Sequence, residues 1–255
     1  MKQKQNQTMI LMTNQYKIAI VIVAAGSSTR TQSSTKKEYL RYKKGTVLSS
    51  VVNSFLDCCI PYISNFIITI PKNDYENAKK AVYRDEETVL LAYKMKTEQD
   101  VSLDFVEGGE TRQSSVFNAL DKIYKSGCNP DIVLIHDGAR PFVSKQIIQN
   151  VIESIHITGA VAPGIIPTDT QKQIEENGII VNHLTRNTLR AIQTPQGFLF
   201  EKLYEAHKKA KADNIEYTDD TEIWGKYVGD VKVVEGDVKN IKITYPKDLE
   251  FLEVK

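Results

Sequence analysis

The segment Ile18–Ala24, IAIVIVA, constrains this chain more than any other. It has no polar position. A strand with one face in water alternates apolar and polar residues, so a continuous β-branched run needs cover on both faces. That is the signature of a central strand in a parallel sheet with helices packed above and below.

The rest of the chain repeats the theme. Val47, Leu48, Val51, Val52 and Phe55 recur at helical spacing, and Asn65–Ile70 is a second strand ended by Pro71. Tyr75, Ala78, Ala81 and Val82 mark a helix, and Val101–Val106 reads as a strand. Val116, Ala119, Leu120, Ile123 and Tyr124 form the next helical stripe, followed by the strand Asp131–Ile135, a stripe of Ile147, Ile148, Val151, Ile152 and Ile155, and the strand Gly159–Ile166. Alternation of this kind predicts an α/β fold with a doubly wound, mostly parallel sheet.

Pro167–Leu184 breaks the rhythm. Two short strand-like pieces flank Asn177-Gly178, a strong hairpin signal. Such a hairpin has little core of its own, so it is expected to reach across to a partner or form a lid. A helix carrying Phe200, Leu203, Tyr204 and His207, a short acidic stretch, a strand at Val231–Val234 and a final helix from Pro246 complete the chain.

With a formal net charge of +1, no global field points to nucleic acid or to a membrane. Cys58, Cys59 and Cys128 have neither the even count of a disulfide framework nor metal-ligand spacing, which fits a reducing, cytoplasmic setting. Residues 1–16 are rich in Gln, Asn and Thr and read as a disordered N-terminal extension, with Met9 and Met12 as alternative starts. The single domain then runs over 17–255.

The first strand leads directly into AAGSSTRTQSSTKKEYL. This is the first βα turn, where doubly wound folds bind phosphates. Small residues let backbone N–H groups approach an anion, and Arg30 and Lys37 add two cations. Neither a Walker A nor a G-x-G-x-x-G pattern is present. Attack on an α-phosphate builds negative charge that a protein meets by positioning and fixed positive charge, so the loop suits nucleotidyl transfer.

Two other clusters sit where ligands bind. GGETRQSSV, Gly108–Val116, opens a helix whose N-terminus, with Ser114 and Ser115, can contact a base or a phosphate, or can be a plain cap. HDGARPF, His136–Phe142, ends the fourth strand. There Asp137 either meets Mg²⁺ directly or through water, or is supported internally by Arg140.

These pieces, in this order, resemble the 2-C-methyl-D-erythritol 4-phosphate cytidylyltransferase family. The matching strings are AAGSSTR…KKEYL, GGETRQSSV, HDGARPF, PTDT, LTRNTLRAIQTPQGF, YTDD and VEGDVKNIKIT. The resemblance implies a Rossmann-like nucleotidyltransferase fold with a protruding β-arm at about 167–186, a homodimer formed through that arm, and Mg²⁺ as cofactor. It implies transfer of CMP from CTP to a sugar-alcohol phosphate. Arg30, Lys37 and Lys242 would be catalytic. Ala24, Ala25, Gly26, Gly109, Glu110, Ser115 and Asp137 would hold the nucleotide. Asp137, Arg140, Thr170, Arg186, Thr194 and Lys242 would face the acceptor, with Thr170 and Arg186 reaching in from the partner subunit, and any metal would touch Asp137 while resting mainly on the CTP phosphates. The chain departs from the family pattern at Glu38, Glu110 and Gly138, where Gln, Asp and Ala are usual.

An acceptor phosphate is already anionic near neutral pH, so this chemistry needs no general base, and His136 reads as structural. The nearest alternative is a ribitol 5-phosphate cytidylyltransferase. A nucleotide-binding regulator without turnover would have lost the cations, and a dinucleotide-dependent oxidoreductase would carry the glycine fingerprint.

Overall fold

The computed structural model describes residues 16–27, 35–59 and 62–252. The expectations for residues 1–15 and for Arg30 lie outside the described residues. Tyr16, which the sequence placed in the N-terminal extension, packs against the edge of the core.

The apolar run forms β1 (Ile18–Val23). A two-residue ladder, β2 (Arg41–Tyr42) and β3 (Gly45–Thr46), leads into α1 (Val47–Cys59) and β4 (Ile63–Ile70). There follow α2 (Tyr75–Val82), α3 (Glu86–Gln99), β5 (Leu103–Glu107), α4 (Arg112–Ser126), β6 (Ile132–Asp137), α5 (Lys145–Thr158) and β7 (Ala160–Ile165). The sequence expectation omitted α3, which begins behind the N-cap Asp85. Its Leu90 and Tyr93 lie on the solvent side, so it shows no clean apolar stripe.

Both faces of β1 are covered, as its composition demands. Ile18, Ile20 and Ile22 join one core with α1 and α5, while Ala19 and Val21 join the other with α4 and the helix carrying Leu203 and Tyr204. β1 pairs in parallel with β4 and β6, and Val23 stands level with both Thr69 and Asp137. The shared register brings three strand ends to one line at the carboxyl edge, where ligands bind in such sheets.

Beyond β7 the hairpin forms as Asn177-Gly178 predicted. Strands β8 (Lys172–Ile174) and β9 (Ile180–His183) pair antiparallel, and Gly178 takes φ 83° at the turn. Their apolar residues Ile174, Ile180 and Val181 are exposed. The chain returns through β10 (Ala191–Ile192) and β11 (Gln196–Leu199) to α6 (Phe200–Ala212), α7 (Asp220–Tyr227) and β12 (Lys232–Glu235).

Eight of the described strands make one sheet, ordered β10-β7-β11-β6-β1-β4-β5, with β12 parallel to β7. β11 is antiparallel to both neighbours, β6 and β7, so the sheet is mixed but mostly parallel. One detail differs from the sequence expectation: the acidic stretch is the start of α7, with Asp219 as N-cap. The final helix from Pro246 forms as a 3₁₀ helix, Pro246–Leu252.

β11 reaches its place through one close approach. A Cβ on Gly197 would stand 2.6 Å from Val151 Cγ1 and 2.8 Å from Ile155 Cδ1. Both partners are fully buried, so relieving the clash requires the packing of α5 to shift. Gly197→Ala is therefore expected to lower unfolding stability by about 1–3 kcal/mol through overpacking. A denaturant titration that left the midpoint unchanged would show that α5 yields freely.

Candidate active site

The turn after β1 is pinned from two sides. Ala24 N donates to both the backbone oxygen and Oγ1 of Thr69, each at 3.1 Å. Gly138 N donates to Val23 O at 2.9 Å. A Cβ at position 138 would come within 2.9 Å of Ala24 Cβ, so Gly138 allows the β6 turn to lie against the loop. Between these turns opens a cleft of about 440 Å³. Ala25, Gly26, Lys37 and Glu38 line it from the first loop, Gly109, Glu110, Arg112 and Ser115 from the start of α4, and Asp137 and Lys242 from the far wall.

The start of α4 is a capping box. Thr111 Oγ1 accepts from Ser114 N at 3.2 Å, and Ser114 Oγ accepts from Thr111 N at 2.9 Å. Ser115 Oγ accepts from Gly109 N at 3.1 Å and donates to Thr111 O at 2.8 Å. Ser115 thus shapes the turn that presents Gly109 and Glu110 to the cleft.

Asp137 gathers the charge. Its Oδ2 takes Lys242 Nζ at 2.9 Å and Arg140 Nε at 3.3 Å, and Arg112 Nε approaches Oδ1 at 3.7 Å. Burial would raise the Asp137 carboxyl, but Lys242, Arg112 and Arg140 more than reverse this and hold it far below the usual carboxylate range. It is an anion at any working pH.

The remaining expected residues divide clearly. Arg140 does not line the cleft; it braces Asp137 and donates through Nη1 to Asn240 O at 2.8 Å, which is the internal-support reading of HDGARP. Thr194 stands behind the wall, its Oγ1 accepting from Asp137 N at 3.1 Å and meeting His136 Nδ1 at 3.0 Å. Ala24 is buried under the loop rather than in the cleft. Thr170 and Arg186 are exposed on the arm, away from this cleft, with Arg186 Nη1 donating to Thr168 O at 3.0 Å. The additional charge of Glu38 is met locally by Lys36 at 3.1 Å.

His136 is fully buried, its Nε2 against Arg140 O at 3.2 Å. Burial pushes its pKa down to about 4, so the ring is neutral and part of the scaffold, in keeping with a structural role.

Sequence reasoning missed Arg112, Asp220 and His207. Asp220 Oδ2 accepts from Arg112 Nη1 at 2.7 Å, and its Oδ1 meets His207 Nε2 at 3.0 Å. One signal was available: the paired aspartates of YTDD stand immediately before Ile223, Trp224 and Tyr227, the pattern of a capped helix start.

A fixed set of cations around a cleft at the carboxyl edge can bind polyphosphate and neutralise charge that grows on phosphorus oxygens. Among the described residues there is no cluster of three or more His, Cys, Asp or Glu that could hold a metal ion. Asp137 Oδ1, with only the long approach of Arg112 among the described residues, is a wall oxygen suited to touch a cation carried by a ligand's own phosphates.

Relatives of this chain carry consistent names. A protein of Clostridium beijerinckii named 2-C-methyl-D-erythritol 4-phosphate cytidylyltransferase is 39% identical over 236 residues, covering 92% of this chain and 96% of its own. One of the same name from Clostridium botulinum is 37% identical over 232 residues, covering 91% and 96%. Among solved structures, the 4-diphosphocytidyl-2C-methyl-D-erythritol synthase of Anaerococcus prevotii superposes with a TM-score of 0.74 at 26% identity, over 95% of this chain and 96% of that one. The 2-C-methyl-D-erythritol 4-phosphate cytidylyltransferase of Thermus thermophilus gives 0.69 at 28% identity, over 93% and 97%. The family model described as 2-C-methyl-D-erythritol 4-phosphate cytidylyltransferase matches residues 18–254, and with this fold and this cleft the chain belongs to that family.

Proposed function

We infer that the protein transfers CMP from CTP to 2-C-methyl-D-erythritol 4-phosphate, giving 4-diphosphocytidyl-2-C-methyl-D-erythritol and pyrophosphate. The observation that carries this reading is the cleft lined by Lys37, Arg112 and Lys242, the last two drawn to Asp137. Ribitol 5-phosphate is disfavoured as acceptor, because the relatives reported above are named for methylerythritol phosphate.

In this mechanism an anionic phosphate oxygen of the acceptor attacks the α-phosphorus of CTP in line. A new P–O bond forms, the bond to the β-phosphate bridging oxygen breaks, and pyrophosphate leaves with the electron pair. No side chain has to remove a proton. Lys37 and Lys242, which line the same cleft, stabilise the charge on the five-coordinate phosphorus, and Arg30 belongs to the same role. Ala25, Gly26, Gly109, Glu110 and Ser115 hold the nucleoside. Asp137, braced by Arg140 and Thr194, holds Lys242 in reach of both phosphates. Mg²⁺, when bound, neutralises the triphosphate, and Asp137 Oδ1 is the protein oxygen that would touch it.

The exposed arm supports a homodimer in which Thr170 and Arg186 reach the acceptor in the partner's cleft. Ile174, Ile179, Ile180 and Val181 give the arm an apolar surface that such an interface would cover. No helix among the described residues is long and apolar enough to cross a membrane, and three free cysteines suit a cytoplasmic enzyme.

Product identification after mixing the protein with CTP, Mg²⁺ and either acceptor tests the reading. Turnover with ribitol 5-phosphate alone would reject it. Lys37→Ala and Lys242→Ala are each expected to lower kcat about 100-fold, the scale of one lost transition-state contact, with the fold retained and with Lys242→Ala also lowering the melting temperature because buried Asp137 loses its nearest cation. Rates near wild type for both would contradict the roles given to them. Arg186→Ala is expected to raise KM for the acceptor more than KM for CTP; equal changes would remove the arm from the acceptor site.

A further inference from the structure

We propose that Asp220, backed by His207, is a positioning residue for the nucleotide site, fixing the guanidinium of Arg112 at the cleft wall. The proposal rests on the reading of that cleft as a CTP site.

Asp220 and His207 are buried, and neither lines the nucleotide cleft. A buried carboxylate is tolerated only when paired and hydrogen-bonded. Asp220 meets this through two contacts, with Arg112 Nη1 at 2.7 Å and His207 Nε2 at 3.0 Å. A carboxylate only accepts, so His207 Nε2 carries the hydrogen. His207 Nδ1 takes no partner among the described residues, which leaves Asp220 as the polar contact that holds the ring.

The residues that meet here come from three helices, two of them with capped starts. Arg112 opens α4 behind its capping box. Asp220 opens α7 behind Asp219, whose Oδ2 accepts from Gln196 Nε2 at 2.9 Å, tying this start to β11. His207 lies within α6. Arg112, by contrast, is a long side chain with many rotamers, and unpaired it would not hold one position at a cleft wall. Its contact with Asp220 at 2.7 Å is a full charge-assisted hydrogen bond, whereas its approach to Asp137 at 3.7 Å is not. Asp220 therefore sets where the guanidinium lies, and Asp137 feels its charge. Arg112 lines the cleft, and its Nη2 makes no hydrogen bond among the described residues, which leaves the guanidinium with donor capacity for an acceptor there.

The test is calorimetric titration of the full chain with CTP and Mg²⁺ in the absence of acceptor, joined to steady-state kinetics in both substrates. Asp220→Asn keeps the shape and loses the charge. It is expected to weaken CTP binding about tenfold, as for one weakened charge-assisted bond, and to raise KM for CTP alike, with KM for the acceptor within about twofold of wild type. Arg112→Gln should give the same pattern, and the double variant should bind CTP no more weakly than Arg112→Gln alone, because the two side chains act as one unit. His207→Leu should move in the same direction, and His207→Gln, which keeps a donor, should move less. Losses that multiply in the double variant, equal changes in both KM values, or unchanged CTP binding would overturn the proposal. If Asp220→Asn does not fold, the two His207 variants decide by the same criteria. If wild type itself binds no CTP, the nucleotide reading falls and this proposal falls with it.

Discussion

Burying a carboxylate at the end of a strand costs several kcal/mol unless cations come with it. At Asp137 three do: Lys242 at 2.9 Å, Arg140 at 3.3 Å and Arg112 at 3.7 Å. Each arrives on a different element. Lys242 follows the last strand, Arg140 closes the turn after β6, and Arg112 opens α4. One anion thereby holds together the wall of the cleft, and a second buried anion, Asp220, fixes Arg112. Glu38 and Glu110 line the cleft as well, so the cations meet an entering polyphosphate by their fixed positions rather than by a net excess of charge.

The sheet makes this possible by register. Because β1, β4 and β6 run parallel and in step, Asp137, Val23 and Thr69 end at one level, and the loops that follow face each other across a narrow gap. Backbone hydrogen bonds from Ala24 to Thr69 and from Gly138 to Val23 fix that gap. The neutral His136 and Thr194 hold Asp137 from behind. Rigid backing of this kind lets charged side chains act without reorganising when substrate arrives.

Much of this was legible in the sequence. The unbroken IAIVIVA run fixed the centre of the sheet, because no other arrangement covers both of its faces. Asn177-Gly178 announced the arm, and HDGARP placed Asp137 at a strand end. Other features left weaker signals. Helix α3 lacks a clean apolar stripe, since Leu90 and Tyr93 face solvent. Strands β10 and β11 are too short, and too dependent on antiparallel pairing, to stand out. The acidic residues before Ile223 read as a loop because a capping aspartate looks like any surface charge until its helix is seen. The Arg112–Asp220 contact joins positions 108 residues apart, so only the tertiary fold reveals it. The departures at Glu38 and Gly138 also became interpretable only in three dimensions, one through Lys36 and the other through Ala24.

The central claim is that the cations lining this cleft, Lys37 together with those held at Asp137, exist to meet nucleoside triphosphate. A crystal structure of the protein with CTP and Mg²⁺ tests it most directly. The account expects the ammonium groups of Lys37 and Lys242 about 3 Å from phosphate oxygens, with Arg112 still held by Asp220. A nucleotide bound elsewhere, or bound in this cleft with both lysines turned away from it, would contradict the account.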